Sequence, residues 1–71
     1  MKVRPFQNHD WLGYHALDSE KVYDAEIATI NGKWGKRRPV FVENYLPEFA
    51  ATIFILLYEE EYDIQPTKEK K

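Results

Sequence analysis

PEFAATIFILLYEEEYD, residues 47–63, is the stretch whose reading decides the fold. Nine of the ten residues from Phe49 to Tyr58 are apolar or aromatic, broken only by Thr52, and three glutamates follow at 59–61. β-Branched Thr52, Ile53 and Ile55 suit a strand, and length alone excludes neither a strand nor a helix. Three features favour the helix. Pro47 fits a first helical position, where its missing N–H would have had no partner. Glu48 beside it faces the positive end of a helix macrodipole. At about 100° per residue, Glu48, Thr52 and Glu59 fall in one narrow sector with Ile55 at its edge, whereas a strand would carry apolar side chains on both faces.

The spacing therefore predicts a helix over 47–61. Phe49, Ile53, Leu56 and Leu57 lie on one broad side of it, and Ala50, Ala51, Phe54 and Tyr58 extend that side further round. A two- or three-stranded sheet covers one side of a helix, not most of it. The remainder is expected beneath an N-terminal arm carrying Phe6, Trp11, Leu12, Tyr14 and Leu17, or against another molecule. In the second case Phe54, Tyr58 and Trp11 form the association surface, and a homodimer is one form it takes.

Working outward, the segment preceding this stretch alternates. Tyr23, Ala25 and Ile27 share one face of a strand that ends near Ile30. Asn31-Gly32 is a strong turn dipeptide, since both residues tolerate positive φ. Val40, Phe41 and Val42 begin a second strand behind Pro39, which lacks a ladder donor and belongs at a strand start or an edge. The ribbon is expected to run on through Trp34 before it turns. Tyr62, Asp63 and Ile64 start a last short strand. Residues 1–20 read as irregular, an arm or a short helical turn, and 66–71 as a solvated, flexible charged tail. The fold expected is one small α+β domain over 1–65, a small antiparallel hairpin or sheet packed against one C-terminal helix, in ββαβ order.

Seventy-one residues place the chain near the lower size limit for a domain resting on a single core. With no cysteine, disulfides and thiolate metal sites are excluded, so packing must suffice. Two Trp, five Tyr and four Phe are available for it, each burying about 150–250 Å². The first residues lack the apolar run of a secretory signal, and the run at 49–58 is half of what crosses a bilayer. A soluble, cytoplasmic protein is expected.

Net charge is −2, which gives no general attraction to nucleic acid. Its distribution is uneven: Lys33, Lys36, Arg37 and Arg38 hold four of ten cations, leaving six against twelve anions elsewhere, a net of −6. A hairpin tip with these cations around Trp34 suits contact with phosphate and a stacked base. It suits equally an acidic protein partner, because Trp and Arg dominate interface energetics. Glu59, Glu60 and Glu61 read as a solvated helix end or as an acidic patch. Together the two clusters would make a dipolar molecule that orients itself on a partner.

Chemistry finds few footholds. His9, Asp10 and His15 are the one grouping resembling a metal or acid/base site, but the six-residue gap matches no regular ligand spacing, and no metal or cofactor is expected. Gly13, Gly32 and Gly35 are too scattered for a phosphate loop, and no pattern activates Ser19 as a nucleophile. A non-enzymatic protein is expected.

In element order, YDAEIATI…RPVFVENYLPEFAATIFILLYEEEYDIQ over 22–65 resembles small phage-encoded inhibitors of host enzymes such as RNA polymerase. It is also similar in outline to a compact archaeal large-subunit ribosomal protein. VYDAEIATI separately resembles the second strand of Tudor and chromo-barrel modules, a likeness that implies a methyl-lysine cage from Trp11, Tyr14, Tyr23, Phe41 and Tyr45. The function expected first is a small regulatory or inhibitory factor of phage or mobile-element type. It would dock on a larger protein or protein–nucleic-acid machine through Lys33, Trp34, Lys36, Arg37, Arg38 and Glu59–Glu61. A nucleic-acid-binding module using the same loop comes second, and an SH3-like or Tudor-like peptide reader third.

Overall fold

The computed structural model describes residues 1–66, and the expected tail at 67–71 lies outside them. Nine strands follow in chain order: β1 (Lys2–Pro5), β2 (His9–Trp11), β3 (Tyr14–Leu17), β4 (Tyr23–Ile27), β5 (Thr29–Ile30), β6 (Lys33–Trp34), β7 (Val40–Leu46), β8 (Ala51–Leu57) and β9 (Tyr62–Gln65). The one helical element among the described residues is a 3-10 turn at Glu59–Glu61. Five strands form an antiparallel sheet in the order β8-β7-β4-β1-β9, and β2-β3 and β5-β6 are separate hairpins.

The expected helix over 47–61 and the ββαβ order built on it are therefore overturned. Residues 51–57 are β8, paired with β7 from Val40↔Leu57 to Leu46↔Ala51. Pro47 is the first corner of a turn instead of a helical N-terminus, a position its fixed φ also suits. The amides of Phe49 and Ala50 donate to the carbonyls of Leu46 and Pro47, and Ala50 at φ 51° sends the chain back. Apolar side chains do occupy both faces of β8: Ile53 and Leu57 are buried, while Phe54 and Leu56 point outward. A strand buries its apolar residues on one face, stacks β-branched Ile53 and Ile55 on the pleat, and satisfies its backbone along β7. A lone helix here would have needed cover round most of its circumference.

Residues 1–20, expected to be irregular, hold three strands. β1 lies between β4 and β9, with Val3 opposite both Tyr23 and Ile64. Leu12 and Gly13, at φ 52° and 82°, make the two-residue turn between β2 and β3. Asn31 and Gly32, at φ 55° and 76°, do the same between β5 and β6. Positive φ at both central residues matches the right-handed twist of the flanking strands.

β4 changes neighbours in mid-strand. Its first half, Tyr23 and Asp24, pairs with β1, and its second half, Ala25 to Ile27, pairs with β7. The sheet thereby curls about one core of Val3, Leu17, Ala25, Val40, Val42, Leu57 and Tyr62. A satellite cluster of Ala16, Leu46 and Ile53 sits under Trp11. Asn44 donates from Nδ2 to the Ala16 carbonyl at 2.7 Å and ties β3 to β7.

Alternation along β8 has a direct consequence for stability. Leu57→Ala, at a fully buried position, should cost about 2–5 kcal/mol, whereas Leu56→Ala beside it should cost less than about 1 kcal/mol, both read from urea unfolding. Ala50→Gly should raise stability by about 0.5–1 kcal/mol, because it relieves a left-handed alanine; thermal melts would show a gain of a few degrees.

Candidate functional site

The two charged clusters expected at opposite poles meet at one seam. The 3-10 turn docks on the loop before β7: the Glu59 amide donates to the Arg37 carbonyl at 2.7 Å, and the Tyr62 hydroxyl donates to the Arg38 carbonyl at 2.6 Å. This brings the Arg37 guanidinium onto the Glu60 carboxylate and 3.9 Å above the Tyr58 ring. Arg38 lies 3.7 Å from Glu59 and 5.0 Å from the Trp34 ring centroid. Trp34 itself is half-buried against the core, its Nε1 donating to the Pro39 carbonyl. Glu61 turns inward, accepting the Tyr58 amide. The dipolar arrangement is thus not formed. Of the expected basic residues, Lys33 and Lys36 make no ion pair with any described residue.

These contacts and the burial around them shift the protonation of nearby groups. A hydrogen bond from Arg37 holds the Glu60 carboxyl below its usual range. Lys2, 2.6 Å from Asp24, lowers that carboxyl through a hydrogen bond and then through its charge. Burial raises the Tyr62 hydroxyl above the phenol range.

Elsewhere the side chains of the expected cage do not converge. Trp11 and Tyr14 both pack edge-on against Phe49, at 5.2 and 5.0 Å. Tyr23 leans on the core and accepts the Asp18 amide through its hydroxyl, while Phe41 and Tyr45 lie on the outer face of β7. His15 stands between Asp10 and Asp18, at 3.9 and 4.0 Å. No set of three or more His, Asp or Glu among the described residues is placed to hold a metal ion.

What the structure does assemble is an apolar surface on the outer side of β7 and β8. Phe41 is 41 % exposed, Phe54 55 % and Leu56 40 %. Phe41 sits opposite Leu56 on one side and Glu26 on the other, and Phe54 opposite Glu43. The surface runs into a groove of ≈ 490 Å³ lined by Ile27, Ile30, Pro39, Phe41, Leu56 and Tyr58, with Glu26 at its side. Phe54 and Tyr58 of the expected association surface belong to this region. Trp11 does not; it covers the satellite cluster on the β2-β3 hairpin.

Sequence reasoning passed over Phe41, Leu56, Ile27 and Ile30 as members of such a surface. The signal was present in the uninterrupted apolar run, since a half-buried strand normally alternates with polar residues. No protein-family model, no curated protein and no solved structure matches this chain. No helix among the described residues is long and apolar enough to cross a membrane.

The titration shifts give opposite limbs of a stability profile. Depressed carboxyls at Asp24 and Glu60 stabilise the fold above about pH 4, and that contribution fades as the pH falls through their lowered values. The raised Tyr62 hydroxyl stabilises it fully below about pH 10, a contribution lost as the pH climbs through the folded value. Tyr62→Phe should cost about 0.5–1.5 kcal/mol at neutral pH through the lost hydrogen bond. It should also flatten the alkaline limb while leaving the acid limb in place, as measured by chemical denaturation across pH.

Proposed function

We propose that the protein is a non-enzymatic binding protein, a small regulatory or inhibitory factor that docks on a larger protein through the outer face of β7 and β8. The observation that carries this reading is the cluster Phe41, Phe54 and Leu56. These side chains stand in solvent although the same two strands bury Val40, Val42, Ile53 and Leu57 on their other face. An exposed, contiguous apolar patch flanked by charged residues is the usual mark of a docking surface, and aromatic anchors are what such interfaces use.

The resemblance to phage inhibitors and to the ribosomal protein loses its basis, because the shared element order contained a helix this chain does not form. The proposal rests on the surface instead. A nucleic-acid role draws less support: Arg37 and Arg38 are engaged with Glu60 and Glu59, and Trp34 is turned onto the core. The peptide-reader reading draws no support from its expected cage, whose side chains do not converge.

Phe54→Asp changes an exposed outer-face residue and should leave the fold intact, with a thermal midpoint within a few degrees of the parent. Partners captured by cross-linking from the native source should drop at least about tenfold with this variant and persist with Lys33→Ala/Lys36→Ala. Retention of the same partners by Phe54→Asp would remove the outer face from the reading. Retardation of mixed oligonucleotides that disappears in the lysine variant would put nucleic acid in its place.

A further inference from the structure

The two edges of the five-stranded sheet are unequally defended. β9 is four residues long, carries Asp63 and is followed by Pro66. A charge, short length and a nearby proline are the usual protections of an edge against further pairing. β8, at the other edge, has seven residues, Ala-Thr-Ile-Phe-Ile-Leu-Leu, with neither a charge nor a proline among them. Among the described residues its only strand neighbour is β7, so its second row of N–H and C=O groups meets no other described strand. Beside this edge the outer face carries two carboxylates: Glu43 across from Phe54, and Glu26 beyond Phe41. Neither makes an ion pair with a described residue, and no lysine or arginine of β4, β7 or β8 balances them.

We propose that β8 is the template for strand addition, and that its occupant is an extended segment of another protein in which basic and apolar residues alternate. This rests on the docking reading above and supplies its mode and chemistry. Main-chain hydrogen bonds to the open side of β8 provide the attachment, and alternate side chains provide the selection. On the outer side, every second residue of the added strand lies next to Thr52, Phe54 or Leu56. A lysine there rests its methylenes on Phe54 and directs its ammonium toward Glu43, two strand spacings or about 9.6 Å away. On the inner side the intervening residues lie beside half-buried Ile55, which favours apolar groups. A second copy of this chain offers the opposite charge pattern, because self-pairing brings the same carboxylates to both sides of the seam.

Hydrogen exchange on the isotope-labelled full chain, with and without a synthetic Val-Lys-Val-Lys-Val-Lys-Val peptide, tests this. The peptide should slow exchange of β8 amides at least about tenfold. The Val-Glu counterpart should bind at least about tenfold more weakly, since like charges across adjacent strands oppose pairing. A Val-Lys peptide N-methylated at every residue, with the same charge but no backbone N–H on either edge, should not bind. Glu43→Lys, which leaves β8 unchanged, should narrow or reverse the preference between the lysine and glutamate peptides.

Absence of binding, equal binding of the two charge patterns, or binding of the N-methylated peptide would overturn strand addition to a basic segment. So would a dimer in sedimentation whose β8 amides are already protected. Loss of native partners on Phe54→Asp, alongside failure of every peptide to slow β8, would sink this proposal alone and leave the docking face standing.

Discussion

The ladder between β7 and β8 is the contact on which the molecule depends. Seven consecutive cross-strand pairs link Val40–Leu46 to Ala51–Leu57, and their inner side chains include Val40, Val42, Leu46, Ile53 and Leu57. Those are five of the ten core residues buried in the described chain, proline aside. A domain this small has little surplus core. With no disulfide to restrict the unfolded chain, a slip of one residue in this register would turn the buried set outward and the outer set inward. Register is held at both ends, by the Leu46–Ala51 turn and by the docking of the 3-10 turn on Arg37.

The same ladder produces the candidate interaction surface. A two-faced apolar strand can satisfy only one face within a single-layer curled sheet, so Phe41, Phe54 and Leu56 are left outside by geometry. Charged residues close to them are carboxylates, Glu26 and Glu43, while three cations of the described chain are engaged elsewhere: Lys2 with Asp24, Arg37 with Glu60, Arg38 with Glu59. Surface ion pairs of this kind contribute little stability. Their effect here is on the electrostatic outline, because they set the two arginines of the basic loop against the glutamate turn and leave Glu26 and Glu43 unpaired on the outer sheet face.

Much of the local structure was legible in the residues. The Asn31-Gly32 turn, the placement of Pro39 before a strand, the inward placement of Tyr23 and Ala25, and the short strand from Tyr62 all follow from turn chemistry and period-two patterning, whereas Ile27, expected beside them, is exposed and the ribbon turns before Trp34 instead of beyond it. The error over 47–61 has a specific source. A strand that is apolar on both faces imitates a helix with a narrow polar stripe, and Pro47-Glu48 suits a helix start as well as a turn corner. The irregular reading of 1–20 failed for a related reason: β1, β2 and β3 have only three or four residues each, too few to show a period.

By itself, the sequence determined that this protein rests on packing without disulfides, that Asn31-Gly32 makes a tight turn, and that more apolar surface exists than one small core absorbs. Each of these follows from residue identity or from neighbours along the chain. Tertiary structure alone decided that 51–57 is a strand, that the basic loop meets the glutamates, and that the surplus apolar side chains gather at one sheet edge beside Glu26 and Glu43. Those outcomes depend on which distant strands pair and in what register, and pairing energy is a property of two segments together.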